Sequence, residues 1–66
     1  MISDLDSYRA AALLMKQHGD EAEIHAAERA DKLLEEGDVE GARVWRLVLA
    51  GIKELRRQMQ ERGPLN

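Results

Sequence analysis

The stretch that decides the fold is Gly37–Pro64, GDVEGARVWRLVLAGIKELRRQMQERGP. It opens with Gly-Asp, a C-cap followed by an N-cap, and it closes with Gly-Pro, which stops a helix. Between these signals, at 100° per residue, apolar side chains fall on one broad face; they are Ala42, Trp45, Val48, Leu49, Ile52, Leu55 and Met59. The pattern predicts a helix over 38–62, with Asp38 as its N-cap and Trp45 as a core anchor.

Two shorter helical patterns precede this helix, and turn residues mark their ends. The first should begin near Ser3 or Asp4, either of which can act as an N-cap, and should end at Gly19. Asp20 is the expected N-cap of the second helix, and Gly37 is its expected C-cap.

Apolar spacings of three and four residues predict which side of each short helix faces inward. These inward residues are Leu5, Tyr8, Ala11, Ala12 and Met15 in the first helix and Ala22, Ala26, Ala30, Leu33 and Leu34 in the second. The predicted fold is all-α. A single domain over 1–66 has two short antiparallel helices, 4–18 and 20–36, folded on the longer third as a three-helix bundle or hairpin.

Length and composition set the stability that this fold can reach. The chain has 66 residues, with one Trp, one Tyr and no Phe, so its apolar volume is mainly aliphatic. Ordering a residue costs roughly 1.5 kcal/mol, whereas apolar burial contributes about 25 cal/mol per Å². A monomer is therefore expected to be marginal, and we expect the protein to form a homodimer.

Several functional classes lack their required residues. Without cysteine there is no disulfide framework, no thiolate zinc site and no cysteine nucleophile. The N-terminus lacks the basic and apolar regions of a signal peptide. The longest apolar run, Ala10–Met15, is too short to cross a membrane. A cytoplasmic protein without membrane contact is expected.

Charge is distributed unevenly along the chain. Residues 1–36 contain nine acidic and four basic residues, a net charge of −5. Residues 37–66 contain four acidic and six basic residues, a net charge of +2. This asymmetry suits an acidic half that lies against a basic half of the same chain or of a second copy.

From Tyr8 to Leu55 the chain resembles a family of short, uncharacterised bacterial proteins known only as a domain of unknown function. The resemblance is carried by Leu14-x-x-Gln17-His18-Gly19, Ala26-x-x-Arg29-Ala30-Asp31-x-Leu33-Leu34, Gly37-Asp38-x-x-Gly41-x-x-x-Trp45 and Leu49-x-x-Ile52-x-x-Leu55. It implies a small helical protein and supplies no activity or ligand. Ala30, the Gly37-Asp38 turn and Ala42 also resemble one tetratricopeptide helix pair, which supports an antiparallel hairpin only, because a solenoid needs several repeats.

Catalytic and metal-binding interpretations find little support. His18 and His25 are separated by a glycine turn and lack the i, i+4 spacing of two ligands on one face. Ser3 and Ser7 are the only serines, and neither has a histidine at a suggestive spacing. Three short helices leave little room for the ~300 Å³ of a small-molecule pocket. We therefore expect no enzyme activity, no catalytic residue, no metal, no cofactor and no small-molecule substrate.

Two surfaces of the third helix are candidates for function. The basic stripe, opposite the core face, consists of Arg43, Arg46, Lys53 and Arg57. It is either a solvated face paired with acids such as Glu54, or the reading face of a helix-turn-helix. The net charge of −3 argues against the second reading, since nucleic-acid-binding domains are normally basic.

The second surface is an apolar edge that consists of Val44, Leu47, Gly51, Leu55 and Met59. It is covered by the first helix, or it is a self-association seam where Gly51 lets another helix approach closely. The third helix exceeds its partners by roughly 10–14 Å at 1.5 Å per residue, so Leu55 and Met59 should have few partners within the chain. This surplus favours the self-association seam.

The sequence predicts a small accessory or regulatory module that binds protein, with a second copy of itself or another protein as its partner. One alternative is a nucleic-acid-associated regulator that uses the basic stripe. Another is an acidic inhibitor or decoy that uses the outer face of the second helix.

Overall fold

The computed structural model describes residues 4–62, with side chains over 5–60, and this part of the chain is entirely helical apart from one turn. The helices are α1 (Asp4–His18), a 3₁₀ turn (Gly19–Glu21), α2 (Ala22–Glu35) and α3 (Val39–Arg62). With 24 residues, α3 is longer than α1, with 15, and α2, with 14. The all-α prediction and the longer C-terminal helix are confirmed. Ser3 and the Gly63-Pro64 stop lie outside the described residues.

The α2–α3 turn follows the capping pattern in the sequence. Gly37 has φ 86°, and the amides of Gly37 and Asp38 donate to the carbonyl oxygens of Leu34 (3.0 Å) and Leu33 (2.8 Å). This is a Schellman motif, which needs a residue that tolerates positive φ. Asp38 Oδ1 then accepts a hydrogen bond from the Gly41 amide at 2.8 Å, so the predicted N-cap is confirmed.

The α1–α2 turn is built differently from the prediction. Gly19 takes the expected left-handed conformation, with φ 58°, but Asp20 does not cap the second helix. The chain continues through a 3₁₀ turn in which the Ala22 amide donates to the Gly19 carbonyl. Because the backbone itself satisfies this donor, α2 begins at Ala22 without a side-chain cap, and the predicted start at position 20 was wrong.

Small side chains form most of the core. Its fully enclosed members come from all three helices; they are Ala11, Ala22, Ala26, Val48 and Ile52. Ile52 is the one large side chain with no exposed surface in the described part of the chain. Trp45 is half-buried against this cluster, as expected of an anchor at the edge of the core.

The predicted inward faces need correction. Leu5 (58% exposed) and Tyr8 (39%) face solvent, as does Leu34 (45%), and Ala12 is also exposed. Ala11 is buried as predicted, and Ser7, which was not predicted to face inward, is buried beside it on α1. The reason is a close approach at Gly51, where an added Cβ would lie 3.2 Å from Ala11 Cβ and 3.7 Å from the Ser7 carbonyl oxygen. Only small side chains fit there, so α1 is rotated away from its larger residues.

Contacts also fix the directions of the helices. α1 passes Gly51 near Ala11 and reaches Leu55 with Met15, so it runs in the same direction as α3. α2 runs the opposite way, since Glu23 contacts Arg56. Tertiary contacts join each short helix mainly to α3 and only sparsely to each other.

The C-terminal part of α3 is better covered than the sequence suggested. Leu55 is half-buried and packs against the core, so the expectation that it has few intrachain partners was wrong. Met59, one turn later, is 63% exposed. The cause is the direction of α1, whose end reaches this part of α3.

Among the described residues, no helix is both long enough and apolar enough to cross a membrane.

Candidate functional site

An open groove lies between the C-terminal halves of α1 and α3. Its volume is about 580 Å³, although three short helices were expected to leave little room for the ~300 Å³ of a small-molecule pocket. Four apolar residues line it, at helical spacings that place each pair on one face; they are Ala12 and Met15 from α1 and Leu55 and Met59 from α3. The floor is formed by half-buried Met15 and Leu55, whereas Ala12 and Met59 are exposed at the rim.

Arg56 closes one end of this groove and connects it to the α1–α2 turn. Its Nη2 donates to the Gly19 carbonyl oxygen at 2.7 Å. Its Nε lies 3.4 Å from Glu23 Oε2, and its Nη1 lies 4.0 Å from Asp20 Oδ1. The Nε contact is electrostatic, because its geometry does not make a hydrogen bond. One guanidinium thus joins α3 to the turn and to α2.

Sequence reasoning did not distinguish Arg56 from its neighbours. On a helical wheel, however, Arg56 lies beside the core row that contains Ile52, whereas Arg57 lies on the solvent side. That offset is the signal that could have identified the residue.

A second, smaller groove of about 350 Å³ lies near the start of α1. Tyr8 and Leu47 form its partly exposed walls, with 39% and 41% exposure, and Gly51 and Ser7 lie at its base. Ser7 is buried, and its hydroxyl has no hydrogen-bond partner among the described residues.

The apolar edge predicted as a self-association seam is therefore divided by the fold. Leu55 and Met59 lie in the larger groove, and Leu47 and Gly51 lie in the smaller one. Val44 is half-buried. Gly51 itself is covered by α1, so the close approach that it permits is to a helix of its own chain.

All four residues of the basic stripe are exposed. Arg57 is paired within its own helix, since its Nε donates to Glu54 Oε1 at 3.2 Å. Gln58 also donates to Glu54, with Nε2 3.1 Å from Oε2. The hydrogen bond from Arg57, followed by that from Gln58, lowers the pKa of Glu54 below the ordinary value for glutamate. For Arg57 this confirms the pairing with Glu54 considered from the sequence.

Two aromatic contacts were not foreseen. The turn at Gly19 brings the rings of His18 and His25 together, with centroids 3.8 Å apart and an angle of 29° between their planes. Face-to-face stacking directs the in-plane nitrogen lone pairs of both rings outward rather than at a common point. The Arg29 guanidinium carbon lies 6.0 Å from the Trp45 ring centroid, at the outer limit of a cation–π contact.

Within residues 4–62, no three histidine, aspartate or glutamate side chains are grouped so that they could hold a metal ion. The two grooves, the Arg56 contacts and the charged outer faces are thus the features on which a function can be built.

Comparison with known proteins gives a family and no characterised relative. No curated protein and no solved structure matches the chain. A model described as a family of unknown function (DUF6961) matches residues 6–60, which include most of every helix described above. The chain belongs to this family of unknown function.

Proposed function

We propose that this protein is a small accessory or regulatory module that acts through protein–protein interaction, first of all with a second copy of itself. The observation that carries the proposal is the apolar α1–α3 groove with Met59 exposed at its rim. Fully burying a methionine side chain contributes about 1.5–3 kcal/mol. A partner that covers this groove would therefore bury apolar surface that the isolated chain leaves exposed, and the complex would be stabilised by that burial.

The composition of the groove suits a protein partner. Met15 and Met59 are unbranched and polarizable, so they adapt to an irregular apolar surface. The groove is also open along its length, which fits an inserted side chain or helix better than an enclosed small molecule. No catalytic group accompanies it in this proposal.

A second copy of the chain is the partner that we propose for the groove, because each copy has both the groove and an exposed Met59 that can enter it. In a two-fold dimer each partner presents the same surface, so Met59 of each copy can enter the groove of the other beside Leu55. The core gives a reason for association, since Ile52 is the one large side chain that is fully enclosed among residues 5–60. Small domains with thin cores commonly gain stability by oligomerising.

We further propose that α1, α2 and α3 close into a three-helix bundle. The contribution of each helix to one core cluster supports this arrangement. For location we propose the bacterial cytoplasm, with which a chain that forms no disulfide is compatible.

The alternative of a nucleic-acid-associated regulator is less well supported. The basic stripe is exposed, but Glu54 neutralises Arg57 within the helix, and the chain as a whole has a net charge of −3. Both features weaken attraction to phosphate.

The proposal is tested by sedimentation velocity over a range of micromolar concentrations. We expect the wild type to dimerise and Met59→Glu to be monomeric, because a carboxylate at the rim would be desolvated by the partner. Leu55→Glu should also be monomeric, but Leu55 packs against the core, so Met59 gives the cleaner result.

Val39→Glu is the matched control. Val39 is 56% exposed at the opposite end of α3, and its replacement should leave the dimer intact. Circular dichroism should show the same helix content in all of these variants except Leu55→Glu. A wild type that stays monomeric, or equal losses from Met59→Glu and Val39→Glu, would overturn the proposed interface.

A further inference from the structure

We infer that copies of this chain also attract one another head to tail, through an acidic stripe on α2 and the basic stripe on α3. The acidic stripe is defined as Glu28, Asp31 and Glu35. The inference rests on the proposed self-association, but it uses surfaces that are separate from the α1–α3 groove and predicts assembly beyond a dimer.

The acidic stripe occupies the solvent side of α2. Its members follow one another at three and four residues, which places them on one helical face, and all three are exposed. The opposite face, with Ala22 and Ala26, is buried against α3. Lys32 flanks the stripe four residues after Glu28. Three carboxylates and one lysine leave the face with a net negative charge.

The basic stripe is opposite in sign and long enough to span the whole acidic stripe. Arg43, Arg46 and Lys53 are exposed and span ten residues, about 15 Å of helix, whereas the acidic stripe spans seven, about 10 Å. Arg57 is engaged by Glu54 and is not needed for the match. Ala50 lies in the middle of the basic stripe and is small, so another helix can approach the α3 backbone there.

The fold prevents one molecule from pairing its own stripes. The acidic stripe points away from α3, because the inward face of α2 packs on it. The basic stripe points away from both short helices, because the buried side of α3 faces them. Complementary patches that point in different directions pair between copies, and such heterologous contacts repeat as rings or open chains.

Exposed ion pairs of this kind are sensitive to salt. The screening length is about 30 Å at 0.01 M ionic strength and about 3 Å at 1 M. The stripes should therefore attract at low salt and stop attracting at high salt, whereas an apolar groove contact should persist at high salt. This difference separates the two contacts experimentally.

The experiment reverses each stripe separately and measures mass by sedimentation velocity at low and high salt. One variant carries Glu28→Lys, Asp31→Lys and Glu35→Lys, and the other carries Arg43→Glu, Arg46→Glu and Lys53→Glu. We expect the wild type to form species larger than a dimer at low salt only. Each variant alone should lose them, with the association constant falling roughly tenfold or more, the range of electrostatic effects on association.

Two further samples make the test specific to charge pairing. An equimolar mixture of the two variants should regain the larger species, and so should a single chain that carries all six changes. Circular dichroism should show that each variant is folded, since long charged side chains are good helix formers. A wild type without larger species at low salt, or single-stripe variants that keep them, overturns the inference.

Met59→Glu separates this inference from the proposed groove dimer. If it abolishes the high-salt dimer and keeps the low-salt species, both contacts stand. If it changes nothing while the reversals dissociate the protein, the groove proposal fails and the stripe contact stands. If the low-salt species never form and the basic stripe instead binds a DNA oligonucleotide, the stripe contact between copies is overturned.

Discussion

A larger side chain at Gly51 should push α1 away from α3. A Cβ built at this position lies 3.2 Å from Ala11 Cβ, 3.7 Å from the Ser7 carbonyl oxygen and 4.0 Å from Tyr8 Cα. The first of these distances is shorter than ordinary van der Waals contact between carbons, which is about 3.5–4.0 Å. Gly51 is thus a point of close contact between the two helices, and substitutions there report directly on that contact.

Two opposing terms set the effect of Gly51→Ala. Replacing glycine by alanine inside a helix stabilises by about 0.8–1.0 kcal/mol through helix propensity, and the tight contact with Ala11 offsets part of this gain. We expect the free energy of unfolding to stay within about 1 kcal/mol of the wild type. Gly51→Leu adds three further carbons into the same space, and such overpacking costs about 1–3 kcal/mol. The total free energy of unfolding of a chain of this length is roughly 3–10 kcal/mol.

The assay is urea unfolding followed by circular dichroism, with hydrogen exchange of the α1 amides. Ala50→Gly is the control, because this neighbouring residue is exposed and its replacement should cost the propensity term alone, about 1 kcal/mol. Ala11→Gly combined with Gly51→Ala should relieve the contact. If Gly51→Leu is as stable as the wild type and α1 amides keep their protection, the close approach at Gly51 is refuted.

Three other changes test separate parts of the fold. Ile52→Ala should lower the free energy of unfolding by about 2–5 kcal/mol, because Ile52 has no exposed surface; urea unfolding measures this, and a loss similar to that of an exposed residue would contradict the core assignment. Asp38→Ala should cost about 0.5–2 kcal/mol by removing the N-cap bond to Gly41, whereas Asp38→Asn, which keeps an acceptor, should cost less in the same assay. Because hydrogen bonds lower the pKa of Glu54, its stabilising contribution should be present above the pKa of an unfolded glutamate and be lost as pH falls through the lower folded value. An NMR titration should give a higher Glu54 midpoint in Arg57→Gln, and an unchanged midpoint would exclude Arg57 as the cause.

Local signals explain why most helix ends could be predicted. Gly37 and Asp38 act through bonds to residues within five positions, so their effect is legible in the sequence. The prediction of Asp20 as an N-cap was wrong for a local reason as well. The same residue types are compatible with a 3₁₀ turn and with the first turn of an α-helix. Only the backbone bond from Ala22 to Gly19 distinguishes them.

The face of α1 could not be predicted, because it depends on a residue forty positions away. Leu5 and Tyr8 belong to the predicted face and are exposed. Ala11 from that face and Ser7 from outside it are buried, where α1 passes close to Gly51. Sequence periodicity measures how apolar a face is, and it carries no information about the distance between helices. The face of α1 that packs on α3 was set by the small size of the side chains that meet Gly51.

The candidate site escaped prediction for the same physical reason. The groove lies between the parts of α1 and α3 that follow their contact at Gly51, and composition does not reveal it. Arg56 reaches Gly19 across 37 residues of sequence, and the two histidines meet only because the chain reverses between them. By contrast, Met59 was singled out as an apolar residue without an evident partner, and the structure does leave it exposed.

Arg56 links the proposed binding surface to the stability of the fold. It lines the α1–α3 groove and holds the α1–α2 turn through the Gly19 carbonyl, so the shape of the groove depends on the turn that positions α1. A partner that binds only the folded chain stabilises it in proportion to the logarithm of its concentration over the dissociation constant. Since Leu55 serves both the core and the groove floor, occupancy of the groove and folding of the chain are one coupled equilibrium. Because the core is small, we expect the folded population of this protein to rise with the concentration of its partner.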